Sequence, residues 1–245
     1  MHTIGCCDSG IGGMLIVDAL HKAYPNLDIV FIADQKNVPY GDKTTEQIKG
    51  FARGLFEAFR KMNVQDVVGA CNTLCVSLDD EIIEEFSDLN IYKIVEPTCK
   101  QLIHHDYKKI GILATAKTID THAYSNELKK TNPNAEVYEI AAPKFVPIIE
   151  NGCDPILLEE AVKEYTNIEV DSWILGCTHY PLIRPFLNGK YDIYDSRQAV
   201  VDLFKDRKME GTGKITVYTS GDPIQMKQSL QQLLHLDLDV KSIEL

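Results

Sequence analysis

No stretch of this 245-residue chain approaches the roughly 18 consecutive apolar residues that a membrane span requires. Its first residues, Met1-His2-Thr3-Ile4-Gly5, lack the charged segment and apolar core of a secretion signal. The chain is therefore expected in the cytoplasm. Basic residues are also scarce: 25 Lys and Arg stand against 36 Asp and Glu, for a formal charge of −11. Nucleic acids and anionic membranes both need a basic face, so neither is an expected partner. A small anionic substrate remains compatible, because backbone N–H groups and helix N-termini hold anions locally.

Disulfide and metal patterns are missing as well. The seven cysteines (6, 7, 71, 75, 99, 153 and 177) form an odd set without small-domain spacing, which points to reduced thiols, most of them packing residues. Cys71 and Cys75 are separated by three residues, but no second pair or histidine cluster completes a ligand set, so no metal site is expected. The glycine-rich run Asp8-Ser9-Gly10-Ile11-Gly12-Gly13 falls short of the dinucleotide fingerprint, and no nucleotide cofactor is expected either.

What the chain does have is a regular alternation of short apolar runs with amphipathic stretches, the βα rhythm of a parallel sheet covered by helices. Strands are expected near residues 2 to 7, 28 to 33, 65 to 70 and 91 to 95. A second series falls near 109 to 114, 135 to 140, 171 to 176 and 191 to 194, with a last strand near 214 to 219. Thr44-Thr45-Glu46-Gln47 is a capping box opening a helix to about Met62, and Asp195 can cap another. Gly221-Asp222-Pro223 reads as a turn into a final helix.

Two of the apolar runs end in the same way. Val67-Val68-Gly69-Ala70-Cys71-Asn72-Thr73 and Trp173-Ile174-Leu175-Gly176-Cys177-Thr178-His179 each place a thiol at the carboxyl end of a strand, where open α/β sheets bind ligands. The repetition resembles an internal duplication. It predicts an α/β fold of two similar domains, related by a pseudo-twofold, with mostly parallel sheets flanked by helices. Residues 1–96 plus 206–245 would form the first domain, on the Cys71 side, and 97–205 the second, on the Cys177 side. The two thiols would then face one substrate from opposite sides of an interdomain cleft. Such a pair suits removal of a proton from one face of a carbon and its return to the other.

Around the thiols stand further candidates, each with a plainer competing reading. Asp8 can orient or accept a proton, or simply cap a helix. Pro39-Tyr40-Gly41 can bring backbone N–H groups and a phenol to a ligand, or form an ordinary turn. Asn72, Thr73, Thr115, Thr118 and Thr178 can bind an anion or cap helices. His179, two positions after a thiol, is a candidate imidazole, with Glu150 as its orienting carboxylate.

The segments Asp8-Ser9-Gly10-Ile11-Gly12-Gly13, Pro39-Tyr40-Gly41-Asp42, Ala70-Cys71-Asn72-Thr73, Val95-Glu96-Pro97 and Gly176-Cys177-Thr178-His179-Tyr180-Pro181-Leu182 together resemble one family in order and spacing. It is the glutamate racemase family, within the wider group of cofactor-independent aspartate and glutamate racemases. Asp195-Ser196 and Thr219-Ser220-Gly221-Asp222-Pro223 extend the likeness over nearly the whole chain. The histidine at 179 resembles the glutamate enzymes, whose aspartate relatives commonly carry glutamate there.

The resemblance implies interconversion of L- and D-glutamate without pyridoxal phosphate, metal or nucleotide, for peptidoglycan, by a homodimer. It implies that Cys71 handles the α-proton of the D-isomer and Cys177 that of the L-isomer. Asp8 would assist Cys71, His179 would assist Cys177, and Glu150 would support His179. Substrate would be held by these groups together with Ser9, Pro39, Tyr40, Gly41, Asn72, Thr73, Thr115, Thr118 and Thr178. Cys6-Cys7, Leu74-Cys75 and Thr98-Cys99 depart from the common pattern and change side-chain volume near the site. The alternatives are a racemase of aspartate or hydantoin type, a related decarboxylase, and an amino-acid-binding regulator. Decarboxylases of this group generally lack one of the two thiols.

Overall fold

The computed structural model describes residues 3–187 and 191–245. The first half runs β1 (Thr3–Asp8), α1 (Met14–Ala23), β2 (Asp28–Ala33), α2 (Thr45–Lys61), β3 (Asp66–Gly69), α3 (Asn72–Ser77), α4 (Asp80–Glu85), β4 (Asn90–Tyr92) and α5 (Val95–Lys100). The second runs β5 (Lys109–Ala114), α6 (Ala116–Asp120), α7 (Ala123–Thr131), β6 (Glu136–Ala141), α8 (Phe145–Glu150), α9 (Pro155–Tyr165), β7 (Ser172–Gly176), β8 (Asp192–Asp195) and α10 (Ser196–Leu203). The tail adds β9 (Ile215–Thr219), α11 (Pro223–Leu234) and β10 (Val240–Ser242).

The strands form two sheets, ordered β10-β9-β2-β1-β3-β4 and β6-β5-β7-β8, and each described pairing is parallel. The stretch β2-β1-β3-β4 has the same order as β6-β5-β7-β8, so β3 and β7, which lead to the two thiols, hold equivalent places. The fold is α/β, as expected. A parallel sheet needs crossovers that cover both faces, so its central strands read as unbroken apolar runs. All of β3 and all of β7 are buried. On β1, Ile4 and Cys6 join one core with Val17, Phe31 and Val217, while Cys7 turns to the other with Phe56, Phe59 and Val67.

Local signals hold where the chain can satisfy them by itself. Thr44 and Gln47 form the reciprocal capping box of α2, whose buried face carries Ile48, Ala52, Leu55, Phe56 and Phe59. Losing such a cap costs about 1 kcal/mol. Asp195 accepts the Arg197 N–H at 2.9 Å and opens α10.

Two expectations shift. The strand placed at 91 to 95 ends at Tyr92, because Val95 already begins α5. Glu96 and Pro97 lie inside that helix, and Val95 and Cys99 pack with Ile110 and Ile112 of β5. The short β10 was not anticipated; among the described residues its three residues pair only with β9 at the sheet edge. Residue 2, expected at the start of the first strand, lies outside the described residues. α10 follows β8 of the smaller sheet, yet its Val200 and the adjoining Phe204 pack into the core of the larger one with Leu20 and Ile29. Among the described residues no helix is long and apolar enough to cross a membrane.

Candidate active site

Chain topology dictates where a ligand can sit. From β1 the chain moves to β2 on one side and then to β3 on the other, so the crevice at the carboxyl ends of β1 and β3 is a topological switch point. Asp8 ends β1 there, and Cys71 follows β3. The same reversal at β5 and β7 brings out Thr115 and Cys177. The two crevices face each other: Cys71 and Cys177 line one cavity with Ser9, Pro39, Tyr40, Gly41, Thr73, Thr115, Val146, Thr178 and His179. A larger cavity of about 540 Å³ lies between α1 and α10, but no thiol lines it.

Cys71 is the N-cap of α3 and its thiol is buried, with Ser9 Oγ 3.9 Å from Sγ. Burial, then the Asp8 carboxylate, push the Cys71 thiol well up, outweighing the Leu74 N–H that favours the thiolate. The helix start beside this thiol therefore loses to desolvation, and Cys71 holds its proton. Asp8 is itself fully buried and accepts from the Ser9 N–H at 2.8 Å, the Gly13 N–H and the Thr178 hydroxyl at 2.9 Å. Burial raises its carboxyl above the ordinary range, against the pull of His179 and of these donors. The Thr178 bond joins the two halves of the site across 170 residues of chain.

Cys177 is followed by a 3-10 stretch, Tyr180–Phe186, where its counterpart is followed by an α-helix. Its polar neighbour is His179, whose Nδ1 lies 3.8 Å from Sγ. On the other side of the ring, Nε2 lies 2.6 Å from Glu150 Oε1, which also accepts the Ile11 N–H at 3.0 Å. Burial disfavours a charged imidazole, but Cys177 and Glu150 prevail and hold the His179 pKa well above its ordinary value. Glu150 is held below its ordinary value: burial opposes this, while His179 and the Ile11 N–H bring it about. The two thiols thus have different partners, a carboxylate for Cys71 and an imidazole backed by a carboxylate for Cys177.

Hydroxyls line the remaining wall. Thr73 Oγ1 is 2.9 Å from Thr115 Oγ1 and 3.5 Å from Thr118 Oγ1, and the last two are 3.1 Å apart. Asn72 stands just behind, its Oδ1 taking the Tyr124 hydroxyl at 2.5 Å while its buried Nδ2 has no partner among the described residues. A buried donor left free is costly unless a ligand meets it. Asp8, Asn72, Thr118 and Glu150 stand behind the cavity wall, and the other candidates line it directly.

One expectation needs correcting, and the glycine run finds its use. The Tyr40 phenol does not point its proton at a ligand, because it donates to buried Asp34 at 2.7 Å, although Tyr40 lines the cavity. The glycines after Asp8 make room for the site's own side chains: a Cβ at Gly10 would lie 2.1 Å from Glu150 Oε1, and one at Gly12 would lie 2.6 Å from His179 Nδ1. Val146, Tyr124 and Asp34 escaped the sequence reading. They carry no distinctive local pattern and reach the site only through tertiary contacts, Tyr124 and Asp34 by hydrogen bonds and Val146 by packing.

A family model described as Asp/Glu/Hydantoin racemase matches residues 15–204. This chain belongs to that family. Among racemases, a glutamate racemase of Aquifex aeolicus is 35% identical over 246 residues, covering 96% of this chain and 93% of its own. Glutamate racemase 2 of Caldanaerobacter subterraneus is 31% identical and covers 96% of this chain and 94% of its own. Among solved structures, the Francisella tularensis glutamate racemase in complex with D-glutamate superposes with a TM-score of 0.88 at 27% identity, covering 99% of this chain and 97% of that one. The chain is an amino-acid racemase, an isomerase.

Proposed function

We propose that this racemase interconverts L- and D-glutamate with Cys71 and Cys177 as its acid and base, supplying D-glutamate for peptidoglycan in the cytoplasm. The observation that carries the reading is the meeting of two buried thiols, from topologically equivalent strand ends, on one cavity. The named relatives supply the substrate, and His179 after Cys177-Thr178 favours glutamate over aspartate chemistry.

Inversion needs a base on one face of the α-carbon and an acid on the other. Cys71, held as the thiol by burial and Asp8, is the acid for L-glutamate. Cys177, as thiolate, takes the α-proton, and Cys71 delivers its own to the opposite face. The product is the D-isomer, with Cys177 now the thiol and Cys71 the thiolate. The reverse reaction uses the same atoms in the opposite order. Asp8 and the imidazole of His179 adjust the proton on either sulfur. Negative charge developing at the α-carbon and carboxylate meets the Ser9 and Thr73 hydroxyls that line the cavity, with the Asn72 amide just behind them, in a tight site that admits little water.

The cavity has about 10 Å³ of open space, room for roughly one water. Glutamate therefore enters only when the walls part, and the division into 1–96 with 206–245 and 97–205 is the proposed line of opening. A homodimer is part of the same reading.

The test is to incubate each pure glutamate isomer with the protein in heavy water. Loss of optical activity with deuterium uptake at the α-carbon is expected, and Cys71→Ala and Cys177→Ala each abolish racemisation. Full racemisation by either variant sinks the two-thiol mechanism. Tight glutamate binding by the reduced wild type without exchange would mean a regulator instead.

A further inference from the structure

Thr219-Ser220-Gly221 lies in the tail of the chain, where Thr219 closes β9, and none of the three lines the inner cavity. All three turn to the loop after β2. The Ser220 N–H donates to the Ala33 carbonyl at 3.0 Å, the Thr219 hydroxyl to Gln35 Oε1 at 3.3 Å, and a Cβ at Gly221 would lie 3.1 Å from Gln35 Cβ. The Ser220 hydroxyl donates to Asp34 Oδ1 at 2.7 Å, and its oxygen accepts the Lys36 N–H at 3.1 Å. Asp34 is buried, and its Oδ2 accepts from the same loop: the Asn37 amide at 2.9 Å and the Tyr40 hydroxyl at 2.7 Å. That loop is a wall of the site. Pro39, Tyr40 and Gly41 line the inner cavity, and a Cβ at Gly41 would lie 3.2 Å from Thr115 Cβ, which follows β5 in the other sheet.

We propose that Ser220 is a positioning residue: through Asp34 it fixes Tyr40, and with it the wall at residues 39–41 that closes on the substrate. The assignment rests on the racemase reading, which makes that wall part of the glutamate site. Between β2 and α2 the chain has two 3-10 turns of three residues each, and such turns supply few hydrogen bonds of their own. The loop therefore takes its place from side-chain ties, and Asp34 gathers them. Bonds from Asn37 and Tyr40 alone would leave the carboxyl group free to move with the loop that holds it. Ser220 anchors it from outside the loop, at the end of a strand paired with β2. Ser220 does not line the cavity, so its effect passes through Asp34 and Tyr40.

Ser220→Ala removes the hydroxyl, and Ser220→Thr keeps it. Ser220→Ala is expected to raise the KM for glutamate about fivefold with kcat within about twofold, because the wall holds substrate and transition state alike. Ser220→Thr should keep the wild-type KM. Lost stability alone would shrink the active fraction and lower kcat while leaving KM in place. In a Tyr40→Phe background, which cuts the bond between Asp34 and the wall, Ser220→Ala should move KM by less than about a further twofold. Wild-type KM in a folded Ser220→Ala protein, a KM in Ser220→Thr as high as in Ser220→Ala, or an undiminished effect in the Tyr40→Phe background would overturn the assignment. A wild type that binds glutamate but exchanges no α-proton sinks the racemase reading alone, and the same comparison then decides the role of Ser220 on the Kd for D-glutamate by calorimetry. A wild type that does neither overturns both.

Discussion

Gly12→Ala tests how tightly the two halves of the site are fitted together. The added methyl would lie 2.6 Å from His179 Nδ1, 2.7 Å from Thr178 Oγ1 and 2.8 Å from the His179 backbone nitrogen, where ordinary contact begins at 3.4 Å. A ring could rotate away from one of these, but a backbone atom among them means that the 178–179 segment or the start of α1 must retreat. The shortfall is about 0.6 to 0.8 Å, and a misplacement near 1 Å costs about 10²-fold in rate. Two contacts suffer at once: Thr178 to Asp8 at 2.9 Å, behind Cys71, and His179 to Cys177 at 3.8 Å. Overpacking of this kind also costs about 1 to 3 kcal/mol of stability. We expect kcat for glutamate racemisation, followed by polarimetry, to fall about 10²-fold, with a urea titration showing a folded protein at the assay temperature. A folded Gly12→Ala protein with wild-type kcat would refute the claim that close approach of β1–α1 to residues 178–179 sets the geometry of both thiols.

Tyr124→Phe removes the hydroxyl that fixes Asn72 Oδ1 and leaves that oxygen buried and unpaired; we expect a loss of about 1 to 3 kcal/mol in urea denaturation and a raised KM. Unchanged values in both measurements would show that the amide is held by something else. The His179 and Glu150 pair predicts a pH signature in stability. His179 has its folded pKa raised above 6.5, so its contribution is complete below the unfolded value and is lost as pH rises through the folded one. Glu150 has its folded pKa lowered below 4.5, so its contribution is present above that value and is lost as pH falls through the folded one. The stability gap between wild type and Glu150→Gln should therefore be widest between about pH 5 and 6.5 and narrow on either side in denaturant titrations. A gap independent of pH would mean that no ion pair forms.

Much was legible because it is local. Apolar runs bounded by turns marked the central strands, and the capping box of Thr44 and Gln47 marked α2, since each signal depends on residues a few positions apart. β10 and the true end of β4 were not legible: three-residue edge strands have too few side chains to show a period, and pairing alone defines them. The site divides in the same way. Cys71, Cys177, Asp8 and His179 stand in recognisable frames at strand ends, whereas Tyr124, Asp34 and Val146 reach the site from elsewhere in the chain.

The sequence by itself determined that two thiols would stand at the carboxyl ends of buried parallel strands, because apolar runs and the residues that end them are properties of the chain. The shared cavity and the unequal partners are expectations of the sequence, the second from the family resemblance; only the tertiary structure gives the inequality its physical cause. Burial and Asp8 keep the proton on Cys71, while Cys177 is given an imidazole braced by Glu150. That inequality comes from desolvation and from contacts between residues as distant as Asp8 and Thr178, which no local pattern can specify.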